Sequence, residues 1–316
     1  MFDELDLYLD ATEDGGSDTY SDSEPEPEPR LSREEAVKAL RAWFEEKDAS
    51  KPTIFTSVTD FPDITDATLV RWFDSRGQSL DKTKMALTRH FQWREEVKLN
   101  SITKESVSEE LASDFIVFGG PDTDEYPCVF AFVRNHDKDT ATKEGMQRLI
   151  IYLLEEALRK CEEGRKAIAE QGQGRGQGQG GGNNNPQQEQ EQEHEQEGSK
   201  RRYTDQFTLV FDLWGFGLKN MNYDAISTLV QTARYNYPHV IRRVLIVNAP
   251  WVFGACYKII ERFLPADAQE LIGFANNYDE ISKYIALERL PEQTIFAIDD
   301  EEEDNSDEDG GEGGEG

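Results

Sequence analysis

Two uninterrupted apolar runs, Phe207-Thr208-Leu209-Val210-Phe211 and Val244-Leu245-Ile246-Val247, constrain this chain most. A strand with one wet face alternates apolar and polar residues. These runs do not alternate, which is the pattern of strands covered on both faces in a parallel or mixed sheet. Parallel neighbours need crossovers, and helical candidates stand at 224–235 and 252–263, with Pro265 opening another. Upstream, 115–118 and 128–133 are shorter apolar runs separated by the turn-rich 119–123, and they read as strands. Between them and Phe207, a helix over 143–162 places Met146, Leu149, Ile150, Leu153, Leu154, Ala157 and Leu158 on one broad face. The expected fold class is α/β.

The front of the chain reads as helical. Ser32 and Glu35 have the spacing of a capping box and announce a helix over 33–47. Asp66 is the expected cap of a short helix reaching Ser75. A longer helix over 80–98 carries the stripe Leu80, Leu87, Phe91 beside Ala86, Trp93, Val97, with His90 expected on its exposed side.

Charge is unevenly spread. Of a formal −30, residues 1–30 carry −10 and residues 299–316 carry −11, so the remainder is an ordinary acidic −9. These end blocks and a Gly/Gln/Asn/Glu tract at 164–202 cannot bury enough apolar area to offset chain ordering, and they read as disordered. Setting them aside leaves 229 residues, enough for one domain with a sizeable core. The acidic blocks are also candidate docking sites for a protein partner, while the absence of a basic stripe with interleaved aromatics argues against nucleic acid. Cys128, Cys161 and Cys256 lack CxxC spacing and read as buried thiols. The first residues lack the basic and apolar regions of a secretory signal, and no run approaches ~18 apolar residues, so a cytoplasmic location is expected.

Catalytic signatures are missing. There is no GxSxG, no Walker loop and no GxGxxG after a strand. His90, His136, His194 and His239 share no metal-ligand spacing, and His136-Asp137 reads as a turn after a strand rather than an acid/base pair. Asp212 ends a strand, where carboxylates of α/β sheets often face a ligand crevice, although capping the following turn is the plainer role. What remains is a surplus of large apolar side chains around the strand exits, including Phe130, Phe132, Phe207, Phe211, Trp214, Trp251, Phe253, Tyr257, Phe263 and Phe274. Either they form a packed core or they wall an apolar cavity.

Residues 237–264 resemble the signature of the CRAL-TRIO lipid-binding family. The resemblance is carried by Tyr237-Pro238, an apolar strand, Asn248-Ala249-Pro250, Phe253 and Phe263-Leu264. Asp212 with Gly215, Leu290-Pro291-Glu292, and Trp93-Arg94 in the helical lead-in extend it over about 64–292. The resemblance implies a mixed sheet flooring a lipid pocket, helices walling it, and a gate helix beginning near Pro265 that faces membranes. Family members that bind phosphoinositides carry an Arg-Lys pair and a further Lys where this chain has Arg76-Gly77 and Glu261. Lys258 and Arg262 stand in neighbouring turns as replacements. The family's terminal glycine pair is replaced by Gln293-Thr294-Ile295.

The resulting expectation is a helical lead-in at 31–100 and a CRAL-TRIO domain at 101–298 interrupted by 164–202, flanked by acidic tails at 1–30 and 299–316. It is a monomeric, non-catalytic carrier of one hydrophobic lipid, without other cofactor, touching membranes transiently. The alternative is an interaction module of the same fold. The lipid-binding candidates are Arg76, Phe132, Leu153, Phe211, Asp212, Trp251, Phe253, Tyr257, Lys258, Arg262, Leu271 and Phe274.

Overall fold

The structure is a computed structural model, and it describes residues 31–45, 64–174 and 203–296, with side chains omitted over 167–174. Expectations for 1–30, for the larger part of 164–202 and for 299–316 lie outside the described residues.

Helix α1 (Arg33–Glu45) opens with the capping box: Glu35 N–H donates to Ser32 Oγ at 3.2 Å, and Ser32 N–H donates to Glu35 Oε2 at 2.9 Å. Helix α2 (Asp66–Ser75) is capped by Thr65, whose side chain accepts from the Thr68 amide. Asp66, the expected cap, sits instead in the first turn, where a carboxylate complements the helix dipole. Helix α3 (Leu80–Glu96) completes a cluster in which Leu40, Phe44, Leu69, Trp72, Leu87 and Phe91 are buried. Arg33–Asp74 and Arg41–Asp66 ion pairs, both 2.8 Å, lay α1 antiparallel to α2.

One turn of helix, α4 (Ser108–Leu111), precedes a five-stranded sheet in the order β1 (Ile116–Gly119), β2 (Cys128–Phe132), β3 (Phe207–Asp212), β4 (Ile241–Val247), β5 (Ile272–Ala275). The β1–β2 pairing is antiparallel and the other three are parallel, as the non-alternating runs require. The crossovers are α5 (Lys143–Gly174), α6 (Tyr223–Asn236) and, between β4 and β5, α7 (Phe253–Ile260) with the single turn α8 (Ala266–Gln269). The expected helix from Pro265 is therefore only that turn, and the chain then becomes strand β5, which the sequence reading did not anticipate. Helix α5 continues past residue 164, where the low-complexity tract was expected to begin.

Side-chain parity divides the sheet into two faces. Val129, Ala131 and Leu209 point toward α5 and join its buried residues Leu149, Ile150, Leu153 and Leu154. Cys128, Phe130, Phe132, Val210, Leu245 and Val247 point to the other face, where Ile281 of α9 (Tyr278–Ser282), Ile285 and Phe296 cover them. Thus helices wall one face and the C-terminal segment seals the other. That segment closes without the paired glycines: Thr294 N–H donates to Pro291 O at 2.9 Å and Phe296 is buried.

A buried ion pair fixes the lead-in to the sheet domain. Arg71 donates to Asp205 Oδ2 from Nε (2.9 Å) and Nη2 (2.8 Å) and from Nη1 to Pro238 O (2.7 Å), and both side chains are almost fully buried. His90 is buried, not exposed: its Nδ1 lies 3.3 Å from Asn236 Oδ1 and its ring stacks on Trp93. Helix α3 is thus covered on two sides, by the lead-in cluster and by the end of α6.

Candidate functional site

In a solid core, residues at the centre of a sheet on its covered face would be fully buried. Here Val210 and Asp212 in β3 are fully buried, yet Phe211 between them is only partly so. Val244 of β4 and Ile226, Leu229 and Val230 of α6 are likewise half-buried. These side chains surround a cavity of about 710 Å³, floored by β3 and β4 and walled by α5, α6 and α7. That volume falls in the usual range for ligand pockets, and its lining is mostly aliphatic and aromatic.

Polar groups stand at the two ends of the cavity, separated along the strand direction. Near the start of β4 are Arg76, Arg234 and His239. The Arg76 guanidinium lies over the Trp72 ring, 5.3 Å from its centroid, and its Nε is buried without a hydrogen-bond partner among the described residues. Burial, and then the neighbouring charge of Arg234, lower its pKa from the usual arginine range. Beyond the strand ends are His136, Asn220 and Asn222. Asn222 Nδ2 lies 3.3 Å from His136 Nε2, Asn220 Nδ2 donates to the His136 carbonyl at 2.7 Å, and the imidazole stacks on Phe115. Burial pushes the His136 pKa down, against the opposing charge of Asp137.

Six of the sequence candidates lie on the cavity wall: Arg76, Leu153, Phe211, Phe253, Tyr257 and Leu271. The other six do not. Phe132 and Asp212 have the wrong parity and point to the opposite face, since successive strand residues face opposite ways. Lys258 and Arg262 are exposed on the outer side of α7 and its following turn, as is Glu261. Trp251 is 93% exposed, in the loop after β4, and Phe274 is 46% exposed on the edge strand, against Tyr257. Arg234, Asn220 and Asn222 were missed by sequence reasoning, and His136 was weighed only as an acid/base partner of Asp137 and set aside. Arg234 sits three residues before Tyr237-Pro238, and the two asparagines stand just before α6, which Asn222 caps.

A second cleft, about 930 Å³, lies between the lead-in, α5 and β1, and charged side chains such as Arg94, Lys104, Glu155 and Glu156 line it. Many of these groups answer one another, as in Glu156 with Arg159 and Glu155 with the Tyr237 hydroxyl at 2.5 Å. It offers no apolar wall comparable to the first cavity.

Among solved structures, Sfh5 has the same fold, with a TM-score of 0.51 at 15% identity, covering 79% of this chain and 81% of that one. A phosphatidylinositol transfer protein, CSR1 of Eremothecium gossypii, is 30% identical over 87 residues, 28% of this chain and 20% of the relative. The protein named real-time of Anopheles gambiae is 24% identical over 236 residues, 71% of this chain and 30% of the relative. The chain spans a fifth to a third of the length of these curated relatives. Residues 187–294 match the model of the CRAL/TRIO domain. Over those residues the chain is similar to CRAL/TRIO domains. The matched residues hold β3 through the C-terminal strap, and so the cavity floor, α6 and α7.

Within the matched stretch, the motif residues that the sequence singled out have structural work. Asn248 adopts φ +55°, a left-handed conformation that asparagine tolerates. Its Nδ2 donates to Asp212 Oδ1 at 3.0 Å and to Ile295 O at 2.8 Å, locking strand ends to the C-terminal strap. Asp212 Oδ1 also accepts from the Trp214 amide at 2.8 Å, so this carboxylate caps the turn after β3.

Proposed function

We propose that this chain binds one lipid in the cavity and carries it between membranes or presents it to another protein. The half-buried apolar wall around the cavity carries this reading. Leaving Phe211, Leu229 and Val244 partly solvated around this cavity is costly unless apolar matter fills it, and each buried methylene contributes about 0.8 kcal/mol. The tail lies along the sheet, and the polar head faces Arg76 and Arg234. Two guanidiniums favour an anionic head in general. Inositol phosphates gain little selectivity, because Gly77 supplies no cation and Lys258 and Arg262 face away.

Trp251 and Phe274, which do not line the cavity, suit transient membrane contact. An indole with 93% exposure loses apolar surface to water unless another phase covers it, and aromatic rings favour the headgroup level. Among the described residues no helix is long and apolar enough to cross a membrane. The reaction class is binding and release, with no bond made or broken.

The test is a cavity-filling variant. Leu229→Trp occupies the space of about two methylenes, so uptake of a fluorescent phospholipid from vesicles is expected to weaken roughly tenfold. The melting temperature should hold or rise, because the indole packs into space the lipid otherwise fills. Undiminished uptake by a folded Leu229→Trp protein would place the lipid elsewhere.

A further inference from the structure

The His136 end of the cavity holds a hydrogen-bond donor that no described residue answers. Asn222 caps α6, and its Oδ1 accepts from the Ala225 amide at 3.0 Å. That bond fixes which way the carboxamide points, so the atom 3.3 Å from His136 Nε2 is Nδ2. An amide NH2 only donates, so Nε2 accepts, and a neutral imidazole that accepts at Nε2 carries its proton on Nδ1. Burial, which lowers the His136 pKa, favours the same neutral form. Nδ1 has no partner among the described residues, although the residue is only 7% exposed and lines the cavity. The ring is held in place on two sides. It stacks on Phe115 with centroids 5.0 Å apart, and Asn220 Nδ2 donates to the His136 carbonyl at 2.7 Å while Asn220 Oδ1 accepts from the Gly217 amide at 2.9 Å. A buried donor left unanswered is costly, so a rigid ring that presents one to a cavity is matched to an acceptor brought by the ligand. The cationic groups Arg76 and Arg234 stand at the other end. Strand β4 runs between the two ends, and its seven residues span roughly 20 Å at about 3.3 Å each.

We propose that the ligand of this cavity is a long-chain anionic lipid bearing an acceptor oxygen, as a hydroxyl or a carbonyl, at the end remote from its head, and that His136 Nδ1–H recognises that oxygen. The proposal rests on the reading of the cavity as a lipid site and adds the class of lipid. A plain hydrocarbon end fills the same space but leaves the Nδ1 donor unanswered, and a site built to hydrogen-bond an oxygen discriminates against the analogue that lacks it. His136 sets specificity here, and Asn222 positions it by fixing the tautomer.

The experiment is a competition on the full chain. Parinarate, a polyene fatty acid whose fluorescence rises in apolar surroundings, is displaced by hexadecanoate, by its ω-hydroxy derivative or by its terminal methyl-ketone derivative. Both oxygenated chains are expected to displace it at roughly tenfold lower concentration than hexadecanoate, the worth of about one hydrogen bond. In His136→Phe, which keeps a ring against Phe115 and removes the donor, that advantage should vanish while hexadecanoate competes as well as before or better. Equal displacement by all three competitors in the unaltered chain, or an advantage that survives His136→Phe, overturns the proposal and leaves the lipid reading standing. An advantage of the hydroxyl chain alone also overturns it, because that pattern requires an acceptor on the ring. If His136→Phe misfolds by circular dichroism, nitrogen-15 NMR of the histidines in the unaltered chain decides. One ring should show a protonated Nδ1 whose resonance moves on adding either oxygenated chain but not hexadecanoate, and the absence of such a resonance overturns the proposal. Failure of parinarate to bind overturns it as well; uptake of a fluorescent phospholipid by the same preparation would then leave the lipid reading intact, and no uptake would sink both.

Discussion

Arg71 and Asp205 share a buried ion pair that no motif announces, and its behaviour on mutation separates pairing from charge. Removing Arg71 leaves Asp205 buried without its counter-charge, and its Oδ1 already has no hydrogen-bond partner among the described residues. Arg71→Ala should cost about 3–5 kcal/mol in denaturant unfolding, whereas Arg71→Met with Asp205→Leu should recover most of it. A loss under 1 kcal/mol for the single change would mean the lead-in docks by other contacts. Asp212 poses the opposite case. Burial raises its pKa, and Arg134 Nη1 stands 3.9 Å from Oδ2, too far for a hydrogen bond. A carboxyl whose folded pKa lies above its unfolded value destabilises the fold once ionised, and this cost is relieved as pH falls through the folded pKa. Asp212→Asn keeps an oxygen to accept from Trp214 and Asn248. It should therefore match or exceed the native stability at pH 7, by up to about 1 kcal/mol, with the advantage vanishing in acid. A clear loss at pH 7 in thermal melts at both pH values would contradict this account.

Elements were legible in the sequence to different depths. The runs at β3 and β4 predicted a mixed sheet covered on both faces, because non-alternation has few other causes. A continuous apolar run carries no parity, however, so it could not say that Phe211 faces the cavity while Phe132 and Asp212 face the C-terminal strap. Strand β5 escaped because four residues, Ile272-Gly273-Phe274-Ala275, follow a helix-opening proline and hold one glycine. Its strand state comes from pairing with β4, a tertiary effect. His90 looked exposed because helical periodicity reports one buried stripe, and α3 has two neighbours. The resemblance also suggested that Gly77 and Glu261 weaken inositide binding by losing cations. Gly77 adopts φ +64° and is followed by Gln78 at +61°, so this turn requires left-handed backbone, and a lysine there is strained. Glu261 is exposed and does not line the cavity. Glu261→Lys should accordingly leave the affinity for phosphatidylinositol within about twofold in a transfer assay, while Arg234→Gln lowers uptake of anionic lipid. A large gain from Glu261→Lys would show that the headgroup reaches α7.

At the scale of the molecule, exposed Trp251 follows closely on Asn248, which holds the C-terminal strap. Asn248 holds the Ile295 carbonyl three residues before Trp251, and the Phe296 ring lies 4.8 Å from Tyr278. The block of net −11 begins three residues past Phe296. Trp251→Ala should weaken binding to neutral vesicles by about tenfold without altering the melting temperature, because the side chain has almost no native contacts to lose. Removing residues 299–316 should strengthen binding to anionic vesicles at low salt, where each nearby charge is worth roughly 1 kcal/mol, and the difference should fade as salt rises. Sedimentation of full-length and truncated protein with both vesicle types decides it, and identical curves at low salt would make the block a bystander. The account stands or falls on whether the cavity holds a lipid. Native mass spectrometry of the purified full chain, followed by solvent extraction, measures this directly. One lipid per protein, displaced in the Leu229→Trp variant, is the predicted result; a folded protein that emerges empty and takes up no lipid from vesicles would contradict it and favour an interaction module of the same fold.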